Sequence, residues 1–505
     1  MDSADVPLKT VVKGAGIFFI GMLFSKFFNY FFRLIAARLG TETYGLVTLS
    51  LSLVSVLAVI ATLGLNNGVL RFVPFYSSKG ENKKVAGIIS YSIKTSFVAG
   101  LVIGFLLFIF SGFISRTFFP HVDPDVFSSV LKVIAFSLPL TAVLFIQYAS
   151  FEAFRFLKYE IYTKNIFDGA FKLALTFLAV YFGYGIFGIA FVYVASVLGS
   201  VLLSWYYLKR YFSFARDGVE YVNRELLVYS VPLVLSGLCI ILISSVDSWI
   251  IGYFMTASDV GLYNAAMPTA QILYTIPSII LILFLPVLSE LFSKGDRKAF
   301  RSVYSSVTKW IFLVNLPLLV LFGLFSRQIF SILFGAEYVS ASIPLIVLSL
   351  GFFVNSVAMT SERMLMVLKR TKFVLLAYIS VLVINAVLNL FLVPVYGIVG
   401  AAVASAVSYI VLALFFIAGG YGFSRIVPFN FDYLKAVFAA AISLGVAFLV
   451  MSLASYSVYL LVFAVVLFGV VYLGLLFLFR AFDTEDIMIM RSIRGKLSSV
   501  ARNIR

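Results

Sequence analysis

The chain has 505 residues, 62% of them hydrophobic and 12% charged, with a formal net charge of +16 and a mean hydropathy of +1.08. A soluble core cannot absorb so much apolar surface, so the solvent for most of the chain is lipid, and no soluble domain remains to carry the positive charge as a face for nucleic acid. One cysteine, Cys239, and one histidine, His121, exclude a disulfide framework and a cysteine- or histidine-based metal site.

Apolar runs of about twenty residues, the length that crosses a bilayer, recur along the whole chain. Fourteen spans are predicted: 14–38, 44–65, 86–112, 127–150, 165–183, 186–208, 226–253, 265–290, 303–325, 342–361, 373–393, 397–420, 435–454 and 457–479. The expected fold is therefore an all-α polytopic membrane protein. The first run contains charges and lacks the small-residue cleavage site of a signal peptide, which predicts a retained helix. It carries Lys26, Asn29 and Arg33 at i, i+3 and i+7, a polar stripe on one helix face with two cations. Lys26 is too deep to reach the interface easily. A charge at that depth costs about 2.5–3.5 kcal/mol on insertion scales, so the stripe is expected to face an interior pathway and contact substrate. Guanidinium and ammonium groups there suit phosphate oxygens.

Lys94 and Lys132, in the third and fourth spans, and Lys309 in the ninth lie close enough to helix ends for their stems to carry the charge out. In the fifth span Asp168 precedes Lys172 by four residues, the acid-first order that favours an internal ion pair. The seventh span carries Ser244 and Asp247 at i, i+3. Asp247 falls near the repeat position of Arg33, which predicts an outer gate between the two. Asp247, Asp168 and Lys172 are the candidate gating or coupling residues. Gln271 and Tyr274 in the eighth span are further candidates for contact with substrate. Asn385 and Asn389 share a face of the eleventh, where interhelical hydrogen bonds account for them.

Lysine and arginine fall almost entirely in alternate loops, from Lys79, Lys83 and Lys84 to Arg363, Lys369, Arg370 and Lys372. The opposite loops hold only Arg38, Arg116 and Arg327. Cytoplasmic loops carry the basic excess, which predicts cytoplasmic termini and a multi-pass protein of the cell membrane. The outer turns, such as Val393-Pro394-Val395-Tyr396-Gly397, are short and hold no catalytic domain.

The chain also repeats itself. Ser78-Lys79-Gly80-Glu81-Asn82-Lys83 returns as Ser293-Lys294-Gly295-Asp296-Arg297-Lys298, and Tyr44-Gly45-Leu46 as Val260-Gly261-Leu262. Thr163-Lys164 returns as Thr371-Lys372, and Tyr184-Gly185-Ile186-Phe187-Gly188 as Tyr396-Gly397-Ile398-Val399-Gly400. The offsets are roughly 208 to 216 residues. Spans one to six then overlay spans seven to twelve as two parallel six-helix repeats, with two C-terminal helices left over. The predicted division is an N-terminal bundle 1–210, a cytoplasmic linker 211–225, a second bundle 226–421, and 422–505 with the extra helices and a basic tail. Parallel repeats of this kind place a transport pathway between the halves.

Several stretches carry a family likeness: Leu39 to Gly45, Ala61-Thr62-Leu63-Gly64-Leu65 into Val69-Leu70-Arg71-Phe72, Asp247 to Phe254, and Asn389-Leu390 through Pro394 to Ala402. In these the chain resembles the polysaccharide (O-antigen type) flippases of the multidrug/oligosaccharidyl-lipid/polysaccharide exporter superfamily. The resemblance implies movement of a polyprenyl-(pyro)phosphate-linked sugar from the cytoplasmic to the outer leaflet, without ATP hydrolysis. The expected partners are that lipid, the surrounding membrane lipids, and glycosyltransferases or a polymerase in functional association. A monomer with no cofactor and no catalytic residue is expected. A cation-coupled multidrug exporter and a lipid II flippase are the alternatives within the superfamily. An exporter of organic cations needs acidic groups in its cavity, whereas the deep charges here are mainly basic. A membrane glycosyltransferase needs a large polar loop with clustered carboxylates, and a nucleotide-driven pump needs a phosphate-binding glycine loop; the sequence offers neither.

Overall fold

A computed structural model describes residues 5–211, 223–429, 431–452, 458–479 and 481. Most of the predicted linker and the basic tail lie outside the described residues. Within them the chain is predominantly helical and contains no strand. The N-terminal bundle holds α1 (Asp5–Ala37), α2 (Thr41–Ala61), α3 (Leu65–Ser78), α4 (Asn82–Phe118), α5 (Pro124–Ala135), α6 (Ser137–Ala153) and α7 (Leu157–Glu160). A π-helical stretch, Ile161–Phe167, then leads into α8 (Asp168–Tyr181) and α9 (Gly185–Tyr211). The second bundle holds α10 (Asn223–Ser230), α11 (Val234–Phe254), α12 (Ala257–Ala270), α13 (Thr275–Ser293), α14 (Arg297–Ile329), α15 (Ser342–Val367) and α16 (Thr371–Ser424). α17 (Asp432–Ser452) and α18 (Val458–Leu478) follow.

The fourteen predicted spans fall mostly on helix over their described residues. Among the described residues nine helices are long and apolar enough to cross a membrane, or ten when the pair bent by 50° around residue 240 is taken as one span. The 54-residue α16 is two antiparallel helices rather than one. Gly397, at φ 58°, reverses the chain where the Pro-Gly turn is predicted, and the Phe373 ring lies against Gly419 near the far end. Other boundaries follow from capping chemistry. The Asp123 carboxylate accepts from the amides of Asp125 and Val126 at the start of α5. Thr256 and Asp259 form a reciprocal capping box on α12, and Asp296 caps α14.

α3 lies outside the predicted spans. Its buried face, Leu65, Val69, Phe72, Val73 and Tyr76, joins Ile88, Ile89, Ile146 and Leu226 in a separate apolar cluster. α10 docks on it: the Arg71 guanidinium stacks 4.1 Å from the Tyr229 ring, and the Tyr76 hydroxyl donates to Glu225 at 3.4 Å. The start of the second bundle therefore packs on the first.

The two bundles meet most closely where α2 crosses α12. A Cβ on Gly45 would overlap the Ala257 carbonyl oxygen, and a Cβ on Gly261 would overlap the Thr41 carbonyl oxygen. Gly45 and Gly261 are equivalent positions of the sequence repeat, so the contact is reciprocal. Small residues four apart, Thr41 with Gly45 and Ala257 with Gly261, let the backbones touch, the usual way helices associate in lipid. The Thr41 hydroxyl donates to Ser258 Oγ at 3.2 Å. At the same end Arg38 donates to the carbonyls of Ile332, at 2.7 Å, and Leu333, and the Tyr338 hydroxyl donates to the Ala37 carbonyl at 3.0 Å. All of these contacts join one bundle to the other.

Candidate functional site

α1 has two working faces. Gly21, Phe28 and Phe32 pack on the first bundle: Gly21 meets Ile161 and Asn165, Phe28 meets Gly169, and Phe32 lies 5.7 Å from the Lys172 ammonium. The opposite face carries Lys26, Tyr30, Arg33 and Ala37 at helical spacing. Two of these four touch the second bundle. The Tyr30 hydroxyl pairs with Thr269 Oγ1 at 3.1 Å, and the Ala37 carbonyl accepts from Tyr338. Lys26 and Arg33 therefore share a face aimed at the seam between the bundles. Lys26 is exposed and Arg33 half-buried.

Arg33 donates to the Tyr44 hydroxyl at 3.4 Å, and Tyr44 in turn donates to the Asn264 carbonyl at 3.3 Å. The Asn264 amide reaches Ser248 Oγ at 3.0 Å. A polar relay thus runs from α1 through α2 and α12 to α11. Asn29, on the same stripe, spends its amide on the Ser25 carbonyl of its own helix.

The predicted pairing of Arg33 with Asp247 is not formed. Asp247 is fully buried and faces its own bundle. Tyr263 and Ser405 donate to one carboxylate oxygen at 2.6 Å each, and Asn389 and Asn385 donate to the other at 2.7 and 3.1 Å. The cause is helix rotation: the neighbouring Ser248, not Asp247, is the residue of α11 that meets the relay from Arg33. Asn385 and Asn389 make the interhelical hydrogen bonds expected of them, from α16 to this carboxylate on α11. Tyr263 and Ser405 complete the group, 16 and 158 residues away in the chain, and no local pattern marks them.

The side-chain oxygens of Asn385 and Asn389 are buried and lack hydrogen-bond partners. With Asp247, Ser405 and Tyr263 they make an all-oxygen set with a single negative charge, on three elements of one bundle. The chemistry fits a proton or a hard monovalent cation, whereas a transition metal prefers nitrogen or sulfur. Among the described residues no three histidine, cysteine or acidic side chains cluster as a metal site.

Asp168 and Lys172 form an ion pair at 2.9 Å, as their spacing predicts. Ser200 donates to the second Asp168 oxygen at 3.4 Å, and the Lys172 ammonium lies 5.4 Å from the Tyr193 ring. The pair sits in the N-terminal bundle, away from the Asp247 group. Gln271 and Tyr274 occupy a single 3-10 turn joining α12 to α13. Tyr274 accepts from Asn355 and packs edge-on against Phe352, so it is held within its own bundle. Lys309 does not reach the interface. It is 2% exposed and lies 3.7 Å from Asp432, which draws it inward between α14 and α17.

The helical arrangement superposes on solved structures of two membrane transporters. The structure of a lipid II flippase, MurJ, in an inward closed conformation superposes with a TM-score of 0.72 at 19% identity, covering 92% of this chain and 98% of the other. A multidrug resistance transporter of the MATE family superposes with a TM-score of 0.67 at 15% identity, covering 79% and 94%. Residues 34–344 match the family model described as polysaccharide biosynthesis protein, and the chain belongs to that family. A relative from Haloferax volcanii, named as a probable low-salt glycan biosynthesis flippase, is 33% identical over 188 residues. That stretch spans 37% of this chain and only 40% of the relative. A Shigella flexneri protein assigned as an O-antigen transporter is 25% identical over 75% of this chain and 90% of its own length.

Proposed function

We propose that the chain is an alternating-access transporter that moves a lipid-linked oligosaccharide from the cytoplasmic to the outer leaflet. The observation that carries this reading is the placement of Lys26 and Arg33 on the seam-facing side of α1, between Tyr30 and Ala37, which touch the other bundle. Two cations at such a seam suit the phosphate or pyrophosphate of a polyprenyl carrier, or an acidic sugar. Their sign disfavours export of organic cations. Family membership and the named relatives support the same substrate class.

In this reading the repeats 1–210 and 226–421 rock against each other, and the Gly45–Gly261 crossing is the outer closure. Loop charge puts both termini in the cytoplasm of the cell-membrane protein. The Asp247 group is the coupling site. Asp247, Asn385, Asn389 and Ser405 would hold a proton or a monovalent cation, which supplies the energy that the chain does not draw from nucleotide. Glycosyltransferases or a polymerase provide and consume the glycan, and the transporter acts as a monomer without catalysis of its own.

Expression in a flippase-deficient strain tests the proposal. Restored surface glycan and cleared lipid-linked oligosaccharide on the cytoplasmic face are expected. Drug efflux gained without glycan restored would favour the exporter.

A further inference from the structure

We infer that protons reach Asp247 from the far end of the second bundle, entering at Glu362 and passing along a column of tyrosines, so that the ion held by the Asp247 group is a proton. The inference rests on the coupling reading above. Glu362 lies at the end of α15 that loop charge assigns to the cytoplasm. It is 5% exposed, and the Tyr378 hydroxyl of α16 donates to it at 3.0 Å. Among the described residues no ion pair closes on it. Its neighbour Arg363 turns to Met366 Sδ at 3.5 Å, and Lys372, at the start of α16, is exposed. On α14 Lys309 turns to Asp432 and Tyr304 pairs with Ser361, while Glu290 on α13 pairs with the exposed Lys294. A buried carboxyl bonded to a hydroxyl alone can gain or lose a proton without breaking an ion pair.

Hydroxyls line the interior between Glu362 and Asp247. Tyr274, in the 3-10 turn after α12, accepts from Asn355 and lies within electrostatic range of Glu362, Tyr378 and Tyr409. The Tyr274 and Tyr409 rings meet edge-on with centroids 6.2 Å apart. Tyr409 is within range of Asp247 and stands one helical turn from Ser405, which donates to that carboxylate. Tyr263 closes the column, 2.6 Å from Asp247. A hydroxyl both donates and accepts, so each member can pass a proton on. The buried, unpaired carbonyl oxygens of Asn355, Asn385 and Asn389 give bridging water its acceptors where neighbouring hydroxyls do not touch.

The lining selects a proton over a metal cation. The Phe352 and Tyr409 ring centroids are 4.6 Å apart, and those of Phe416 and Tyr378 are 5.7 Å apart. A sodium ion would have to shed its water between aromatic faces, where no set of oxygens replaces it. Tyr378 and Asn389 are eleven residues apart on α16, about 16 Å of helix. That is too far for one transfer and short enough for a few hydroxyls with water between them.

The test uses the full chain in nanodiscs, with time-resolved infrared spectroscopy after a drop in pH. The carboxyl band that Asp247→Asn removes should grow in the parent chain. Tyr378→Phe, Tyr409→Phe and Glu362→Gln should each delay it about tenfold or more without changing its final size. The phenylalanine variants keep the rings and their packing, and glutamine keeps an acceptor for Tyr378. A band that forms at the parent rate in all three variants, that never forms, or that moves with sodium at fixed pH would overturn the inference. Glycan export in cells separates it from the reading beneath it. Delayed protonation with normal export by Asp247→Asn keeps the route and removes coupling. Protonation at the parent rate with export abolished by Asp247→Asn removes the route and leaves coupling.

Discussion

Asp247 shows how much depends on one side chain. Four donors converge on a fully buried carboxylate, so removing it breaks four hydrogen bonds, takes from Ser405 its acceptor, and leaves Tyr263 and Asn385 to share Ser405 Oγ and Asn389 only the Asn385 carbonyl. An unsatisfied buried polar group costs about 1–3 kcal/mol, so Asp247→Ala should lower the melting temperature markedly. Asp247→Asn keeps the shape but not the charge, and in cells it should abolish transport with a smaller thermal shift. Normal glycan export by Asp247→Asn would remove this residue from coupling. The stripe on α1 predicts a graded effect. Lys26→Ala and Arg33→Ala should each weaken binding of a polyprenyl pyrophosphate about tenfold, the scale of one charge-assisted hydrogen bond, while Lys26→Arg should not. Binding to the purified protein checks it, with Asn29→Ala, whose amide bonds its own helix, as the silent control.

At the scale of the helix, the α2–α12 crossing is the most demanding feature of the fold. Any side chain at Gly45 or Gly261 collides with backbone rather than with a movable side chain. Gly45→Ala and Gly261→Ala should therefore bias the molecule against the closed crossing, and by the repeat symmetry they should do so alike. Cysteines at Thr41 and Ser258, with Cys239 replaced, should cross-link readily in the parent and poorly in either glycine variant. Equal cross-linking in all three would show that the crossing tolerates a Cβ. Much of this scale was legible in the sequence. The runs of apolar residues marked the long helices but not α3 or α7, and the repeat put Gly45 and Gly261 in register. Spacing of four residues was enough for Asp168 and Lys172. What escaped was any property that depends on helix rotation in three dimensions. The same repeat register suggested Arg33 against Asp247, but a residue one position along α11 faces elsewhere, and Ser248 takes the contact instead. Tyr263 and Ser405 were invisible for the same reason, because their partner is a carboxylate on another helix.

For the molecule as a whole, the two bundles play unlike parts. The first supplies the cations of α1, and the second encloses the acid of Asp247. The repeat gives them a common frame, and the departures from it carry the chemistry. The closest backbone contact between bundles lies at the end holding Thr41, Gly45, Ala257 and Gly261, and the α3–α10 contact joins them at the other end of α2. The central claim is that a lipid-linked glycan crosses the membrane through this seam. Its most direct measurement is the leaflet distribution of lipid-linked oligosaccharide in a flippase-deficient strain, read by access of a membrane-impermeant glycosidase. The parent chain should move the glycan to the outer leaflet, and the Gly45→Ala and Lys26→Ala/Arg33→Ala variants, present in the membrane at equal levels, should leave it inside. Glycan that stays on the cytoplasmic face with the parent chain in the membrane would contradict the account.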